Sequence, residues 1–344
     1  MTGDGYRVGV LGATGLVGST ILGLLAERRF PVAEVVPFAS ERSVGRELEW
    51  NDKVLVCREL SEESIQGLDL VLSSAGGAVS AEWTPRLVAA GATVVDNTSH
   101  WRMHDGVPLV VAEVNPEALD GHGGIVANPN CSTMQMVVAL KPLFDEAGIE
   151  RLVISTYQAV SGTGKAAIDE LLTQSKAVLE GREPKAGVYP HPIAFSALPQ
   201  AGSFAAGEDH TDEERKLINE TRKILGDEAI RVSATCVRVP VVTGHSEAVN
   251  VETKEPLSPE RARELLASAP GVTVLDDPAA AGYPLATEAA GKDDVFVGRI
   301  RRDPGNERAL DLWIVSDNLR KGAATNAVQV AELLVDRDLL GKRE

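Results

Sequence analysis

Short apolar runs alternate with helix-like stretches through the first third of the chain. Residues 7–11, 33–39, 68–73, 92–95, 108–111 and 124–127 read as short buried strands, and residues 15–28 and 78–90 read as helices. Such alternation predicts a parallel sheet with right-handed crossovers. The rhythm loosens near residues 128–131, which marks a domain boundary. A helix is expected over 134–144, then a long strand with β-branched residues over 151–160. Helices follow at 165–179, 212–225 and 258–268, the last opened by Ser258 with Pro259 at its first helical position. Further strands are expected at 229–239, 247–253, 294–301 and 309–315, and a final helix at 321–335. Residues 180–207, rich in Pro, Gly and Ala, read as irregular. Long strands separated by single helices predict an open, mixed or antiparallel second sheet.

Composition narrows the field. A length of 344 residues predicts two domains or three. Hydrophobic residues at 44% and charged residues at 24% exclude a disordered chain, a fibre and a small disulfide scaffold. Aromatics at 4% leave the core to Val, Leu, Ile and Ala. The net charge of −16 argues against nucleic acid or an anionic membrane as partner. An anionic ligand therefore needs a local cluster of cations and N–H groups. Three cysteines, Cys57, Cys131 and Cys236, make no disulfide framework and no zinc spacing, so no metal is expected. They fit a reducing cytoplasm. Residues 1–7 lack a signal-peptide pattern, and no apolar run approaches the ~20 residues of a membrane span.

Candidate chemistry begins with Gly12, Gly15 and Gly18 in the run GATGLVG, between the first strand and the first helix. Glycines there permit a tight turn, close approach to phosphate and close helix packing, while the helix N-terminus offers free N–H groups. This reads as a Rossmann-type nucleotide domain. Ser40, Glu41, Arg42 and Ser43 follow the second strand. An acid there favours NAD, whereas an Arg among hydroxyls favours the extra phosphate of NADP, and the balance points to NADP. Cys131, in the run NPNCST, precedes a helical stretch, where the dipole favours a thiolate. Of the six histidines, His245 follows Gly244 at an expected strand end and could reach into a cleft. Arg238 is expected mid-strand among apolar residues, where it needs an anionic partner. Glu213 and Lys216 share a helix face. Arg102 follows a strand end, and Ser161 and Gly162 open a second glycine-rich turn just after Gln158.

Taken together, these stretches, with SDNLRKGAA at 316–324, resemble the aspartate-semialdehyde dehydrogenase family along nearly the whole chain. The resemblance implies a nucleotide domain over 1–130, completed by 320–344, and an α+β catalytic and dimerisation domain with a mixed sheet over 131–319. It implies Cys131 as nucleophile, His245 as acid/base and Gln158 as the residue positioning the substrate. Arg238 matches the clamp on the substrate carboxylate, Glu213 the partner of its amino group, and Arg102 and Lys216 the phosphate binders. Asn130 falls beside the nucleophile. Gly12, Thr14, Gly15, Leu16, Val17, Ser40, Arg42, Ser43, Ser161, Gly162 and Asn318 match cofactor contacts. The implied reaction is NADPH-dependent reductive dephosphorylation of L-aspartyl 4-phosphate through a Cys thioester. That step lies on the route to lysine, threonine, methionine and diaminopimelate. A homodimer or homotetramer is implied. Ser196 stands where an Asn is usual, an Asp is missing before Phe204, and residues 205–209 are also atypical. Two alternatives are N-acetyl-γ-glutamyl-phosphate reductase, whose motif normally reads Asn-Pro-Gly-Cys-Tyr, and a non-catalytic nucleotide-binding relative. Glyceraldehyde-3-phosphate dehydrogenase is more distant, because its Ser-Cys-Thr-Thr motif is absent.

Overall fold

A computed structural model describes residues 5–341. The chain divides into two compact units, Met1–Asn130 with Ala323–Glu344, and Cys131–Gly322. The outermost residues of the expected nucleotide domain, 1–4 and 342–344, lie outside the described residues.

The first unit is built on β1 (Tyr6–Leu11), β2 (Val32–Phe38), β5 (Leu70–Ser73), β6 (Thr93–Asp96) and β7 (Ile125–Ala127), all parallel, in the order β2-β1-β5-β6-β7. Helices α1 (Leu16–Glu27) and α2 (Gly77–Ala89) make crossovers, and α8 (Asn326–Asp336) packs with α1. On one face Val8, Val10, Leu70 and Leu72 pack with Ile21, Leu25, Val328 and Leu334. On the other, Leu11, Val36, Val71 and Val94 pack with Leu87. Burial on both faces is why these strands read as continuous apolar runs.

Two expectations for this unit need correction. Residues 108–111 form only an isolated bridge, Leu109 to Ala127. The Asn326 side chain takes the partners a ladder would use: its Nδ2 donates to Val110 O at 2.8 Å and its Oδ1 accepts from Ala112 N–H at 3.0 Å. A hairpin not expected from the sequence joins β3 (Glu47–Trp50) to β4 (Lys53–Val56). Its turn residues Asn51 and Asp52 have φ of 46° and 60°, the conformation such short loops favour.

In the second unit six strands run in the order β11-β12-β13-β10-β8-β9. They are β8 (Ile149–Gln158), β9 (Arg231–Arg238), β10 (His245–Thr253), β11 (Val272–Val274), β12 (Val295–Asp303) and β13 (Asn306–Ser316). Pairs β8·β9 and β11·β12 are parallel and the rest antiparallel, so the sheet is mixed. Helix α3 (Cys131–Ala147) packs against β8, β10, β12 and β13 and against α5 (Asp212–Leu225) and α6 (Pro259–Ser268). The remaining helices are α4 (Lys165–Leu179) and the short α7 (Ala286–Ala289). The segment from 180 to 210 is irregular, as its composition suggests.

Local chemistry sets the ends of these elements. A capping box starts α5: the Thr211 hydroxyl accepts from Glu214 N–H at 3.3 Å and Glu214 accepts from Thr211 N–H at 2.9 Å. The expected final helix over 321–335 begins instead as a π-turn, Arg320–Thr325. Gly322 N–H reaches back five residues to Asp317 O at 3.1 Å, while the Asp317 side chain caps Leu319 and Arg320.

The first glycine loop is held by contact. A Cβ on Gly18 would lie 2.1 Å from Gly12 O, and one on Gly12 would lie 2.6 Å from Ser74 O. Gly18→Ala should therefore lower stability by about 1–3 kcal/mol. Urea unfolding measures this, and an unchanged midpoint would show that the loop tolerates a side chain.

Candidate active site

In the second unit, strand ends gather the candidate side chains. Gln158 closes β8 and Arg238 closes β9, paired in register. Arg238 thus ends its strand rather than lying mid-strand as expected. His245 opens β10 instead of following a strand end. The peptide of Ala159 ties two of these residues together. Its N–H donates to His245 Nδ1 at 3.0 Å, and its C=O accepts from Arg238 Nη1 at 2.7 Å. A Cβ on Gly162 would sit 3.2 Å from both Arg238 Nη1 and His245 Nε2, so glycine keeps the space over them open.

His245 is fully buried. Desolvation first, and the Arg238 charge second, bring its pKa down to about 3. The ring is neutral, and because Nδ1 accepts, the proton sits on Nε2. Among the described residues, His245 Nε2 and Arg238 Nε are buried without a hydrogen-bond partner. Two buried donors of this kind suit ligand oxygens.

The first turn of α5 adds an acid. Glu213 accepts from Gln158 Nε2 at 3.0 Å and from Lys216 Nζ at 3.0 Å. Thr156 donates to Gln158 Oε1 at 3.1 Å, which orients the amide. Burial works against the Lys216 charge, but Glu213 and Asp212 outweigh it and hold its pKa above the ordinary value. Lys216 stays cationic.

Cys131 is the first residue of α3 and is half-buried. A Cβ on Gly322 would come within 2.9 Å of its Cβ, so only bare backbone fits there. Cys57 and Cys236 are buried, and burial raises both thiols. They stay protonated, unlike a thiol at a helix N-terminus. Ser161 and Asn318 bond each other at 2.9 Å, and Gly244 N–H donates to Asn318 Oδ1 at 2.9 Å.

The first unit holds the other candidates. Gly12, Thr14, Gly15, Ser40 and Glu41 line a cleft of about 440 Å³ with Phe38, Ser74 and Trp83. Gly15 precedes α1 without a side-chain cap, leaving helix N–H groups for an anion. Leu16 and Val17 begin α1, while Arg42 is exposed and Ser43 half-buried in the turn Glu41–Ser43. This glycine cradle and uncapped helix fit a dinucleotide. Arg102 donates to Asn128 O at 2.9 Å and to Asn97 O at 2.7 Å. Asn128 in turn bonds Asn97 and Asn326 at 2.6 Å each. Asn130, buried, ends this unit.

Several participants were not legible in advance. Ala159 acts through its peptide and leaves no side-chain signal. Asn97, Asn128 and Asn326 meet only in three dimensions. Glu247, fully buried on the face of β10 that carries His245, had one signal: a two-residue spacing along a strand.

An α/β unit with a glycine-rich loop between its first strand and first helix, joined to a mixed-sheet unit, defines a dehydrogenase architecture. Residues 7–122 match the family model described as "Semialdehyde dehydrogenase, NAD binding domain", and residues 140–321 match "Semialdehyde dehydrogenase, dimerisation domain". The aspartate-semialdehyde dehydrogenase of Aquifex aeolicus is 56% identical over 340 residues, covering 98% of this chain and 100% of that protein. That of Bacillus subtilis is 46% identical over 98% of this chain and all of its own. Among solved structures, aspartate semialdehyde dehydrogenase II from Vibrio cholerae, complexed with ASA, superimposes with a TM-score of 0.93. It is 46% identical and covers 97% of this chain and 99% of its own. The Candida albicans aspartate semialdehyde dehydrogenase with NADP gives 0.75 at 27% identity, covering 98% of this chain and 100% of its own. This chain belongs to the aspartate-semialdehyde dehydrogenase family, a family of oxidoreductases.

The buried imidazole makes a testable contribution to stability. His245 titrates near 6.5 when unfolded and near 3 when folded. Between those values the unfolded chain binds more protons, so stability from this group rises with pH, by at most about 1.4 kcal/mol per pH unit. It is fully present above pH 6.5 and lost as pH falls toward 3. His245→Asn, which keeps an acceptor for Ala159 N–H, should lose less stability than wild type across that window. Urea titrations at each pH report it, and parallel curves would refute it.

Proposed function

We propose that this chain is an NADP-dependent aspartate-semialdehyde dehydrogenase. It reversibly converts L-aspartyl 4-phosphate to L-aspartate 4-semialdehyde and phosphate in the aspartate pathway. The observation that carries this reading is the pair of unpartnered donors, Arg238 Nε and His245 Nε2, buried together and held on one peptide beside Gln158 and Glu213.

The residues divide the chemistry. Cys131 Sγ, as thiolate, attacks the acyl carbon, and the bond to the phosphate oxygen breaks. N–H groups in the first turn of α3 receive the carbonyl oxyanion. Arg238 holds the substrate carboxylate, which suits a planar guanidinium better than an ammonium. Glu213 receives the substrate ammonium and repels an anionic acyl group. Gln158, oriented by Thr156 and Glu213, steadies the acyl group near the thiol. Arg102 and Lys216 match the family's phosphate binders, each a cation suited to the phosphoryl group. Asn130 leads the backbone into Cys131. NADPH, when bound, supplies the hydride that reduces the thioester. His245 presents its Nε2–H to the oxyanion that hydride transfer leaves on the substrate; that oxyanion re-forms the carbonyl as the C–S bond breaks, and Cys131 departs as thiolate.

The first unit is the cofactor domain in this reading. Gly12, Thr14, Gly15, Leu16 and Val17 receive the phosphates, and Ser40, Arg42 and Ser43 select NADP, with Glu41 as the competing feature. Ser161, Gly162 and Asn318 match further cofactor contacts of the family. That unit is also the dimerisation domain of a homodimer or homotetramer. One face of its sheet bears Ala248 and Trp313 beside Tyr283 and Leu285 around a groove. Small molecules are the partners, with no role for nucleic acid or membrane. No helix among the described residues is long and apolar enough to cross a membrane. The three cysteines form no disulfide among the described residues, which suits a reducing cytoplasm.

NADPH formation from L-aspartate 4-semialdehyde, NADP and phosphate, with phosphate omitted as control, tests the assignment. Phosphate-dependent turnover is expected, and turnover only with N-acetylglutamate semialdehyde would transfer the assignment to the rival reductase. Cys131→Ser should lower kcat at least about 1000-fold, because a hydroxyl is a far weaker nucleophile at neutral pH. Near-normal turnover would remove Cys131 from its role. For Arg238→Lys the damage should fall mainly on KM for the semialdehyde, and an unchanged KM would count against the clamp.

A further inference from the structure

Glu247 lies two residues along β10 from His245, on the same buried face of the sheet. It forms no ion pair with any described residue, and neither carboxyl oxygen makes a well-formed hydrogen bond among them. The side chains beside it are Gln135 and Ser132, both on α3, the helix that Cys131 opens. Gln135 is tied back to the sheet, since Ser316 Oγ donates to its Oε1 at 2.7 Å. Ser316 stands opposite His245 in register. A chain of neighbours thus links the strand pair bearing His245 to the helix turn bearing Cys131. The titratable groups facing Glu247 are Glu213 from α5 and Cys236 from β9, with His245 on its own strand.

We propose that Glu247 is a positioning residue, whose buried carboxyl packs against the first two turns of α3 beside Ser132 and Gln135 and so sets Cys131 relative to His245. The proposal rests on the dehydrogenase reading and deepens it. Burial raises the Glu247 pKa well above the ordinary carboxylate value and so favours the protonated acid, a form that can donate as well as accept. An ionised carboxylate there would oppose a thiolate at the positive end of α3. A carboxylic acid supports the turn without that opposition.

The test combines turnover with the pH dependence of Cys131 alkylation by iodoacetamide. The other two thiols are buried, so the alkylation rate reports Cys131. Glu247→Ala should lower kcat about 10- to 100-fold with KM for the semialdehyde little changed. It should also move the alkylation midpoint to higher pH, as the thiolate loses its place at the helix end. Glu247→Gln should restore both, because an amide is neutral and nearly the same shape. Should Glu247→Ala fail to fold, Ser132→Ala cuts the same brace from the helix side and should shift both readouts the same way. Wild-type kcat and midpoint in the folded Ala variants would overturn the proposal. A midpoint lowered in Glu247→Gln would also overturn it, by showing that a charge had been removed. Absence of phosphate-dependent turnover in wild type would sink the dehydrogenase reading instead, and the alkylation profiles would still judge the brace.

Discussion

One peptide group organises the chemistry of the second unit. Ala159 stands just past the end of β8, and it donates to a neutral imidazole while accepting from a guanidinium. The two partners repel each other's charged forms, and both are buried. A shared backbone clamp holds them together only while the imidazole is uncharged, because a protonated Nδ1 would point a donor at a donor. Much else follows from this constraint. A side chain at Gly162 would crowd both partners, Nε2 must carry the proton, and Arg238 must find its anion elsewhere.

Burial decides which groups are charged. Lys216 stays cationic because two carboxylates lie within hydrogen-bond distance. Glu247 has no cation beside it, and burial pushes its pKa well above the ordinary carboxylate value. Cys236 is buried in β9 near Glu213, Glu214 and Glu247 and keeps its proton. Cys131 differs from it in place rather than in kind: it is half-buried at a helix start, with bare glycine backbone against it. In a chain of net charge −16, anion-binding capacity has to be made locally. Arg102, Lys216, Arg238 and the uncapped start of α1 are such local sources.

Much of the fold was legible from pattern, since strands buried on both faces read as apolar runs and the α5 cap is written in Thr211 and Glu214. The hairpin at 47–56 escaped because its strands are short and largely exposed. Residues 108–111 misled for the opposite reason: they are apolar and β-branched, yet Asn326, more than 200 residues away, occupies their ladder positions. The π-turn at Arg320–Thr325 includes an i→i+5 bond from Gly322 to Asp317, a spacing that the side-chain pattern does not mark.

Element types, the glycine loop and the order of the Cys, Gln, Arg and His residues follow from local pattern, because periodicity and turn chemistry act over a few neighbours. Their partners and charge states come only from packing. Arg238 and His245, seven positions apart, meet on the Ala159 peptide just past β8. Desolvation makes His245 a neutral donor and raises the pKa of the Glu247 carboxyl well above its ordinary value. Charge state in a buried site depends on everything packed around it, and that environment is assembled from residues far apart in the chain.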